Sequence, residues 1–258
     1  MSESVRAVDR ALDVLMCFSS QTPELTMTQI AEQVGIHKST AHRLLATLEN
    51  KRFIQRDPTT GIYRLGIRLL QMAYLTIEHN DLRRLAAPFM HQLCDMYEEN
   101  IDLTVLDDTD VVFINILEGP KRVKLAAAIG QRLPAFATAS GKAILGFMPA
   151  KTVRGILDRG MPQLTPYTLS APDVLLKDLN SVKESGFALS EQELEEQINA
   201  VAAPIFNQEQ HPIASIAVAG PAYRLTRQKM NEIGPNLVAT AQAISREIAM
   251  TDIPPVNS

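Results

Sequence analysis

The segment at residues 26–68 constrains the fold of this chain more than any other. Thr26, followed three residues later by Gln29, fits a capping box and predicts a short helix over residues 27–34. Gly35 permits a left-handed turn directly after it. A second helix is predicted over residues 37–51, so the segment has the order helix, tight turn, helix. This order is typical of a helix-turn-helix.

Short strands and two further helices surround this motif. Residues 53–56 and 62–65 are separated by Asp-Pro-Thr-Thr-Gly, which predicts a two-stranded wing. Another amphipathic helix is predicted over residues 66–79. Upstream, residues 4–18 carry apolar side chains at positions 5, 8, 11 or 12, 15 and 18. That helical spacing predicts one buried stripe.

Charge is distributed unevenly along the chain. The net charge is −4, yet residues 1–70 carry nine Lys and Arg against seven Asp and Glu, and the remainder carries 16 against 22. Within residues 37–56 the single acid is Glu49. The bases there are Lys38, Arg43, Lys51, Arg52 and Arg56, with His37 and His42 beside them. A basic face on an acidic protein suffices for phosphate contacts, and the acidic remainder limits non-specific adhesion.

Composition bounds the class of protein. A chain of 258 residues that is 46% hydrophobic forms one or two domains with a real core. No run approaches 18 uncharged apolar residues, and the start shows no signal-peptide core. Cys17 and Cys94 lie far apart, which suits two small buried side chains in a reducing compartment. We therefore expect a cytoplasmic protein with no membrane association.

The second part of the chain has a different pattern of predicted secondary structure, with strands as well as helices. Asn80 and Asp81 mark a break and a good helix N-cap, where we place the domain boundary. Strands with intervening and flanking helices then predict an α+β sheet domain. The predicted helices cover residues 82–98, 138–147, 151–159, 172–184 and 226–249, and the predicted strands cover residues 101–107, 111–117, 123–128, 187–190, 200–206 and 213–219.

Several motifs along the chain point to one family. The N-terminal part carries Ser-Val-Arg-Ala-Val-Asp-Arg-Ala-Leu at 4–12, Lys-Ser-Thr-Ala-His-Arg-Leu-Leu at 38–45 and Tyr-Arg-Leu-Gly at 63–66. The C-terminal part carries Ala-Thr-Ala-Ser-Gly-Lys-Ala-Ile-Leu at 137–145, Ser-Gly-Phe-Ala at 185–188 and Val-Ala-Ala-Pro-Ile-Phe at 201–206. With these motifs in this order, nearly the whole chain resembles the IclR family of bacterial transcription regulators.

The resemblance implies an α+β chain in three parts. These are a winged helix-turn-helix DNA-binding domain at residues 1–65, a linker helix at 66–80 and a GAF-like α/β effector-binding domain at 81–258. It also implies homodimers, commonly paired into homotetramers on a palindromic double-stranded DNA operator. No cofactor, metal site or catalytic residue is expected. The sequence leaves repression and activation open, and repression is the favoured alternative.

The predicted DNA-binding residues lie on the helix-turn-helix and its wing. Arg43 is the best candidate for reading a base, because arginine can bridge guanine O6 and N7. Side chains near the start of the same helix could equally hold phosphates, which positions a protein without reading sequence. His37 is expected to cap that helix. The full set is Thr28, Gln29, Lys38, Ser39, Thr40, His42, Arg43, Arg56 and Arg64.

The predicted effector site begins at the loop that enters the helix at residues 138–147. Backbone N–H groups and hydroxyls at a helix N-terminus favour an anion, although Thr138 or Ser140 could simply cap the helix. By resemblance, other pocket positions fall at residues where members that bind small oxoacids carry Asp, Cys and Ser. The predicted effector residues are Arg122, Thr138, Ala139, Ser140, Ser190, Ile198, Ala200 and Ala217.

Polar groups are thus replaced by Ala200 and Ala217, and Ser190 stands in place of an acid. We expect a small-molecule carboxylate that is larger and partly apolar, such as an aromatic acid. Arg122 or Lys124, on the predicted strand before the loop, could pair with its carboxylate, or both could simply face solvent.

Other interpretations of the sequence fail. Ser140-Gly141-Lys142-Ala143 lacks both the upstream glycine and the Ser or Thr of a phosphate-binding loop. His91 and Cys94 have no second pair for a zinc site. The acidic run Glu191, Glu193, Glu195 and Glu196 is expected to be a solvated surface. The remaining alternative to a regulator is a small-molecule-binding module or enzyme with an incidental winged helix.

Overall fold

The computed structural model describes most of the chain, namely residues 5–19, 21–78 and 81–250, with the backbone alone at residues 74 and 76–78. The chain divides into two compact units, Met1–His79 and Asn80–Ser258. The end of the predicted linker at 79–80, with its predicted N-cap Asn80, and the C-terminal tail lie outside the described residues. Within the described residues, no helix is long and apolar enough to cross a membrane.

The first unit is a three-helix bundle with a hairpin and a fourth helix after it. Its elements are α1 (Arg6–Met16), α2 (Met27–Val34), α3 (Lys38–Asn50), β1 (Ile54–Arg56), β2 (Tyr63–Leu65) and α4 (Ile67–Glu78). The two strands pair antiparallel, from Ile54 opposite Leu65 to Arg56 opposite Tyr63. Val14, Ile30 and Leu45 are buried side chains of the core beneath them.

Local sequence explains the turn between α2 and α3. Thr26 Oγ1 accepts from the Gln29 backbone N–H at 3.3 Å, and Gln29 Oε1 accepts from the Thr26 backbone N–H at 2.8 Å. Both halves of the predicted capping box are therefore present, which satisfies two otherwise unpaired donors. Gly35 ends α2 at φ +67°, the left-handed conformation predicted for it.

The predicted stripe on α1 is only partly correct. Phe18 is buried and Leu15 is half-buried, but Val5, Val8 and Leu12 are exposed. Val14, outside the predicted stripe, is buried instead. The reason is that α1 packs on α2 and α3 with its C-terminal half, so that residues near its end enter the core. Cys17, expected to be buried, is half-buried.

The second unit is built on a six-stranded antiparallel sheet in the order β5-β4-β3-β8-β7-β6. Its strands are β3 (Asn100–Asp107), β4 (Asp110–Leu117), β5 (Arg132–Pro134), β6 (Ala188–Glu191), β7 (Ile198–Phe206) and β8 (Pro212–Pro221). Its helices are α5 (Asp81–Tyr97), α6 (Ala139–Leu145), α7 (Ala150–Leu157), α8 (Pro172–Ser185) and α9 (Arg227–Met250).

Strand alternation gives this sheet two different faces. Ile101, Leu103, Ile216 and their neighbours form a large core with α5 and α9. Successive residues of a strand point to opposite faces, so the residues between them face the other way. On that second face small alanines such as Ala217 belong to one hydrophobic cluster with Ala139 of α6.

The strand predicted at 123–128 is wrong. Residues 122–128 form a loop, and the edge of β4 is paired instead by β5, with Asp110 opposite Pro134. Side chains occupy carbonyls that a strand would have used. Arg224 donates to Val123 O at 2.7 Å, and Asn100 donates to Leu125 O at 3.1 Å.

Candidate functional site

The outer face of α3 is polar and basic. Ala41, Leu45 and Leu48 anchor the helix in the core of the first unit. The side chains predicted to contact DNA point away from that core. Lys38, Ser39, His42 and Arg43 are exposed, and Thr40 is half-buried. His37 occupies the N-cap position, but its side chain makes no capping hydrogen bond, contrary to the expected role.

A basic groove lies beside this face. A groove of about 360 Å³ is lined by Arg6 and Arg10 of α1 and by Arg43 and Thr40 of α3. None of the ion pairs among the described residues involves Lys38 or these three arginines. Sequence reasoning missed Arg6 and Arg10, although their i, i+4 spacing places both on one side of a helix.

The wing residues have partners within the first unit. The Arg56 guanidinium lies 5.8 Å from the centroid of the Tyr63 ring. Arg64 forms an exposed ion pair with Glu24 at 2.8 Å. In the turn, the Thr59 and Thr60 backbone N–H groups donate to Asp57 Oδ1 and lower the pKa of that carboxyl. The turn is therefore fixed locally.

Two of the predicted DNA contacts lie on α2. Thr28 is half-buried in its first turn, and Gln29 is exposed. The side-chain amide oxygen of Gln29 is already engaged in the capping box. Its NH₂ group is the part that can donate to an external acceptor.

The first unit also exposes large apolar side chains on two helices. On α1 and its N-cap they lie at Val5, Val8, Leu12 and Met16, with spacings of three or four residues. On α4 they lie at Ile67, Leu70, Met72 and Leu75. A helix face of this size is normally covered by another surface.

In the second unit the start of α6 is buried. Thr138 Oγ1 accepts from the Gly141 backbone N–H at 3.0 Å, which is ordinary helix capping. Ala139 and Ser140 follow as buried residues. A Cβ at Gly141 would lie 2.1 Å from Ala135 O, so only glycine fits there. This close packing explains the Ser-Gly-Lys-Ala motif without a phosphate-binding loop.

Three predicted effector positions share the sheet face beneath α6. Ser190 lies opposite Ala200 in the β6–β7 pair, and Ala200 and Ala217 both belong to the alanine-rich contact with this helix. The Ser190 hydroxyl donates to Ala137 O at 3.2 Å, which ties β6 to the turn before α6. Ile198, half-buried at the start of β7, has the same strand parity as Ala200 and faces the same side.

A buried ion network holds α6 in place. Lys142 is fully buried, and its Nζ lies 2.6 Å from Glu193 Oε1 and 2.9 Å from Asp178 Oδ2. Burial raises the pKa of Glu193, and the neighbouring Lys142 partly opposes that shift. The expectation that residue 193 belongs to a solvated acidic surface is therefore wrong. Its partner lies 51 residues away in sequence.

A second buried acid lies on the sheet face beneath α6 and has no such partner. Asp102 is 4% exposed, and its Oδ1 has no hydrogen-bond partner among the described residues. Burial raises its pKa to about 7. Thr104 lies two residues further along β3, and it forms a 2.8 Å hydrogen bond with Ser215 on the paired strand β8. The isolated carboxyl was not singled out from the sequence, where it resembles any polar residue of an alternating strand.

Arg122 and Lys124 lie apart from this face. Arg122 is exposed in the loop after β4, and Lys124 pairs with Glu118 at 2.5 Å. The base of that loop is fixed by Arg224, which donates two hydrogen bonds to the buried Glu99. This bond raises the pKa of Arg224.

The second unit also has an open groove of about 750 Å³. It runs along the β6 edge of the sheet, where Asp178, Glu193 and Arg227 contribute charged groups. None of the eight predicted effector residues lines it. The groove therefore does not contain the predicted effector residues, although Val182 belongs both to its lining and to the cluster beneath α6.

Comparison with known proteins matches two family models to this chain. The IclR helix-turn-helix domain matches residues 7–58, and the C-terminal domain of bacterial transcriptional regulator IclR matches residues 74–246. HTH-type transcriptional regulator KipR of Bacillus subtilis is 30% identical over 252 residues, which are 97% of this chain and 100% of that protein. HTH-type transcriptional repressor AllR of Salmonella typhimurium is 28% identical over 255 residues, 98% of this chain and 93% of that protein.

A solved structure shows the same architecture. An IclR homolog from Microbacterium hydrocarbonoxydans, complexed with 4-hydroxybenzoate, aligns with a TM-score of 0.79 and 25% identity over 93% of this chain and 99% of that one. The predicted fold, a winged helix-turn-helix followed by a linker helix and an α/β domain, is confirmed. The chain belongs to the IclR family of bacterial transcriptional regulators.

Proposed function

We propose that this chain is a homodimeric repressor that binds a palindromic operator through α3 and releases it in response to an organic acid. The observation that carries the DNA-binding half is the exposed basic face of α3, beside an arginine-lined groove. In a helix-turn-helix the second helix enters the major groove with its first turns against base edges. Lys38 to Arg43 occupy those turns.

The roles within this face follow from reach and chemistry. Arg43 reads a base, because its fork can bond guanine O6 and N7. Lys38, Ser39, Thr40 and His42 hold the backbone at the helix entrance. Phosphate contacts further out come from Thr28 and Gln29 on α2, from Arg56 and Arg64 on the wing, and from Arg6 and Arg10 in the groove.

We infer that two copies pair through the exposed apolar faces of α1 and α4. Leu12 and Leu70 lie near the middle of those faces, and both are exposed in one chain. A second copy buries them by two-fold symmetry, the commonest arrangement of oligomers. A dimer presents two recognition helices to two half-sites about one helical turn apart, which is why the operator is expected to be palindromic.

The effector half rests on the face beneath α6. Ser190, Ala200 and Ala217 lie there with little polar surface, which suits a partly apolar acid. The 4-hydroxybenzoate complex of the Microbacterium homolog supports an aromatic carboxylate. We propose that the carboxylate approaches the backbone N–H groups of Ala139 and Ser140, and that Ile198 bounds the apolar end. Arg122 would attract the anion from outside.

The acid acts by shifting a population. It must bind one arrangement of the dimer better than the other, since equal affinity for both arrangements shifts nothing. The arrangement it favours has recognition helices that no longer match the half-sites. Binding of the acid therefore relieves repression. The relative AllR, which is named a repressor, supports repression over activation.

Gel shifts with the full chain test DNA binding. The probes are the DNA upstream of its own and neighbouring genes and a scrambled duplex of equal length. We expect specific retardation that weakens steeply between about 50 and 200 mM salt. Failure to prefer any upstream fragment over the scrambled duplex would favour the alternative, a small-molecule enzyme or binding module with an incidental winged helix.

Thermal shift of the full chain tests the effector class. We expect benzoate and its hydroxylated derivatives to raise the melting temperature, and glyoxylate to leave it unchanged. Ala217→Leu, which fills the proposed site, should remove the shift, whereas Ala150→Leu on the exposed start of α7 should keep it. Stabilisation by glyoxylate and by no aromatic acid contradicts the proposal.

A further inference from the structure

The carboxyl of Asp102 lies on the proposed effector face and has no partner there. Asp102 pairs with Ala217 across the β3–β8 ladder. Ile101 and Leu103, its neighbours in sequence, belong to the opposite core against α5 and α9. Strand alternation therefore turns Asp102 toward α6, on the same side as Ala217.

The neighbours of Asp102 across the sheet are small or apolar. Across the sheet on one side of Asp102 come Ala217 on β8, Ala202 on β7 and Ala188 on β6. On its other side Asp102 pairs with Ile116 on β4. None of these side chains can donate or accept a hydrogen bond. Directly paired residues have Cβ atoms about 4.5–5.5 Å apart, so a molecule that contacts Ala217 is within reach of the carboxyl.

Other buried polar groups near this face have partners, which makes the isolation of Asp102 informative. Thr104 and Ser215 satisfy each other at 2.8 Å, and Lys142 satisfies Glu193 at 2.6 Å. Glu193 also has one unpaired oxygen, Oε2, but its carboxylate is held by the Lys142 ammonium. Within the described residues, the buried carboxyl of Asp102 has neither a cation nor a hydrogen-bond donor beside it. A buried polar group without a partner costs free energy, and binding of a complementary group recovers it.

We propose that Asp102 is a specificity-determining residue of the effector site and that it selects organic acids that carry a hydroxyl group. A hydroxyl both donates and accepts, so it pairs with the carboxyl in either protonation state. The carboxylate of the ligand stays away from the acid, toward the start of α6. This inference rests on the proposed effector site and adds the chemistry of its far end.

Calorimetric titration of the full chain with matched acids tests the assignment. Benzoate is compared with 3-hydroxybenzoate and with 4-hydroxybenzoate, and propionate is compared with lactate. In each pair the two acids differ by one hydroxyl group. We expect the better hydroxylated member to bind about tenfold tighter than its unsubstituted parent. Asp102→Leu should abolish that ratio, and Asp102→Asn, whose amide still pairs with a hydroxyl, should largely keep it.

Asp107→Asn is the control on the same strand, since that carboxylate already pairs with Arg132 at the exposed end. A residue with only a structural role would change the affinity for both members of a pair equally. Binding of acids with no preference for the hydroxyl, or an unchanged preference in Asp102→Leu, overturns this inference and leaves the proposed effector site standing. If no acid in the series binds, the effector site itself is wrong.

Discussion

The starts of α3 and α6 are similar in sequence and opposite in environment. Residues 38–43 read Lys-Ser-Thr-Ala-His-Arg, and residues 138–143 read Thr-Ala-Ser-Gly-Lys-Ala. In α3 the lysine and arginine are exposed, while in α6 the lysine is fully buried between two carboxylates. Small polar residues with a base therefore do not define a surface. Lys142 is buried because Asp178 and Glu193, which are distant in sequence, lie beside its ammonium group. No such carboxylate pairs with Lys38 among the described residues, and that lysine is exposed.

The largest effect should come from removing the buried lysine. Lys142→Met leaves Glu193 and Asp178 without their cation, and breaking such a pair costs about 3–5 kcal/mol. Lys38→Met on the exposed start of α3 should change the free energy of unfolding by less than about 0.5 kcal/mol. Urea unfolding of both variants measures the difference. Equal midpoints would break the comparison, and Glu193→Gln in the Lys142→Met background should restore part of the loss.

The second effect concerns the other buried acid. The pKa of Asp102 is raised from 3.8 to about 7. Between these pH values the folded chain keeps the proton on this carboxyl, whereas the unfolded chain loses it. Stability from this group is therefore present at acidic pH and is lost as pH rises from about 4 to 7. Asp102→Asn should raise the free energy of unfolding at pH 8 by about 2–4 kcal/mol and have little effect at pH 4. A destabilised Asp102→Asn chain at pH 8 would contradict this.

On the exposed side, Arg43→Ala should leave folding intact and weaken operator binding. A good bidentate base contact is worth about 1–3 kcal/mol, and its loss should relax preference at one base pair. Arg10→Ala, a phosphate contact from α1, should weaken operator and scrambled DNA alike and lower the salt dependence. Fluorescence anisotropy on both duplexes separates the two results. A uniform loss in Arg43→Ala would show that this arginine positions the protein instead.

The smallest effect is local to the helix-turn-helix. Thr26→Ala removes the hydroxyl half of the capping box and should cost the first unit about 1 kcal/mol. Thr59→Ala, an exposed residue of the wing turn whose backbone N–H makes the hydrogen bond to Asp57, serves as a control outside the box. Thermal unfolding of the two variants gives the difference, and an unchanged Thr26→Ala would mean that the packing of α2 alone fixes its start.

The sequence predicted best what short-range chemistry controls. The capping box, the left-handed Gly35 and the wing all depend on groups within a few residues of each other. Most helices and strands of the second unit also follow from their periodicity. The predicted strand at 123–128 failed because side chains from Arg224 and Asn100 take its carbonyls.

The candidate site was harder to predict than the fold. The burial of Lys142 with Glu193 joins positions 51 residues apart, and the isolation of Asp102 depends on which residues β8 and β4 place beside it. Neither can be read from local pattern. The arginines of α1 were missed for the same reason, since only the packing of α1 on α3 brings them beside Arg43.

Reciprocal coupling between acid and DNA is the most direct test of the regulator as a whole. The operator affinity of the dimer is measured with and without a saturating hydroxybenzoate, and the affinity for the acid is measured with and without operator. Linkage requires both affinities to fall by the same factor, which is about 5–150-fold for typical coupling. An acid that binds the chain while operator affinity stays unchanged would contradict the account.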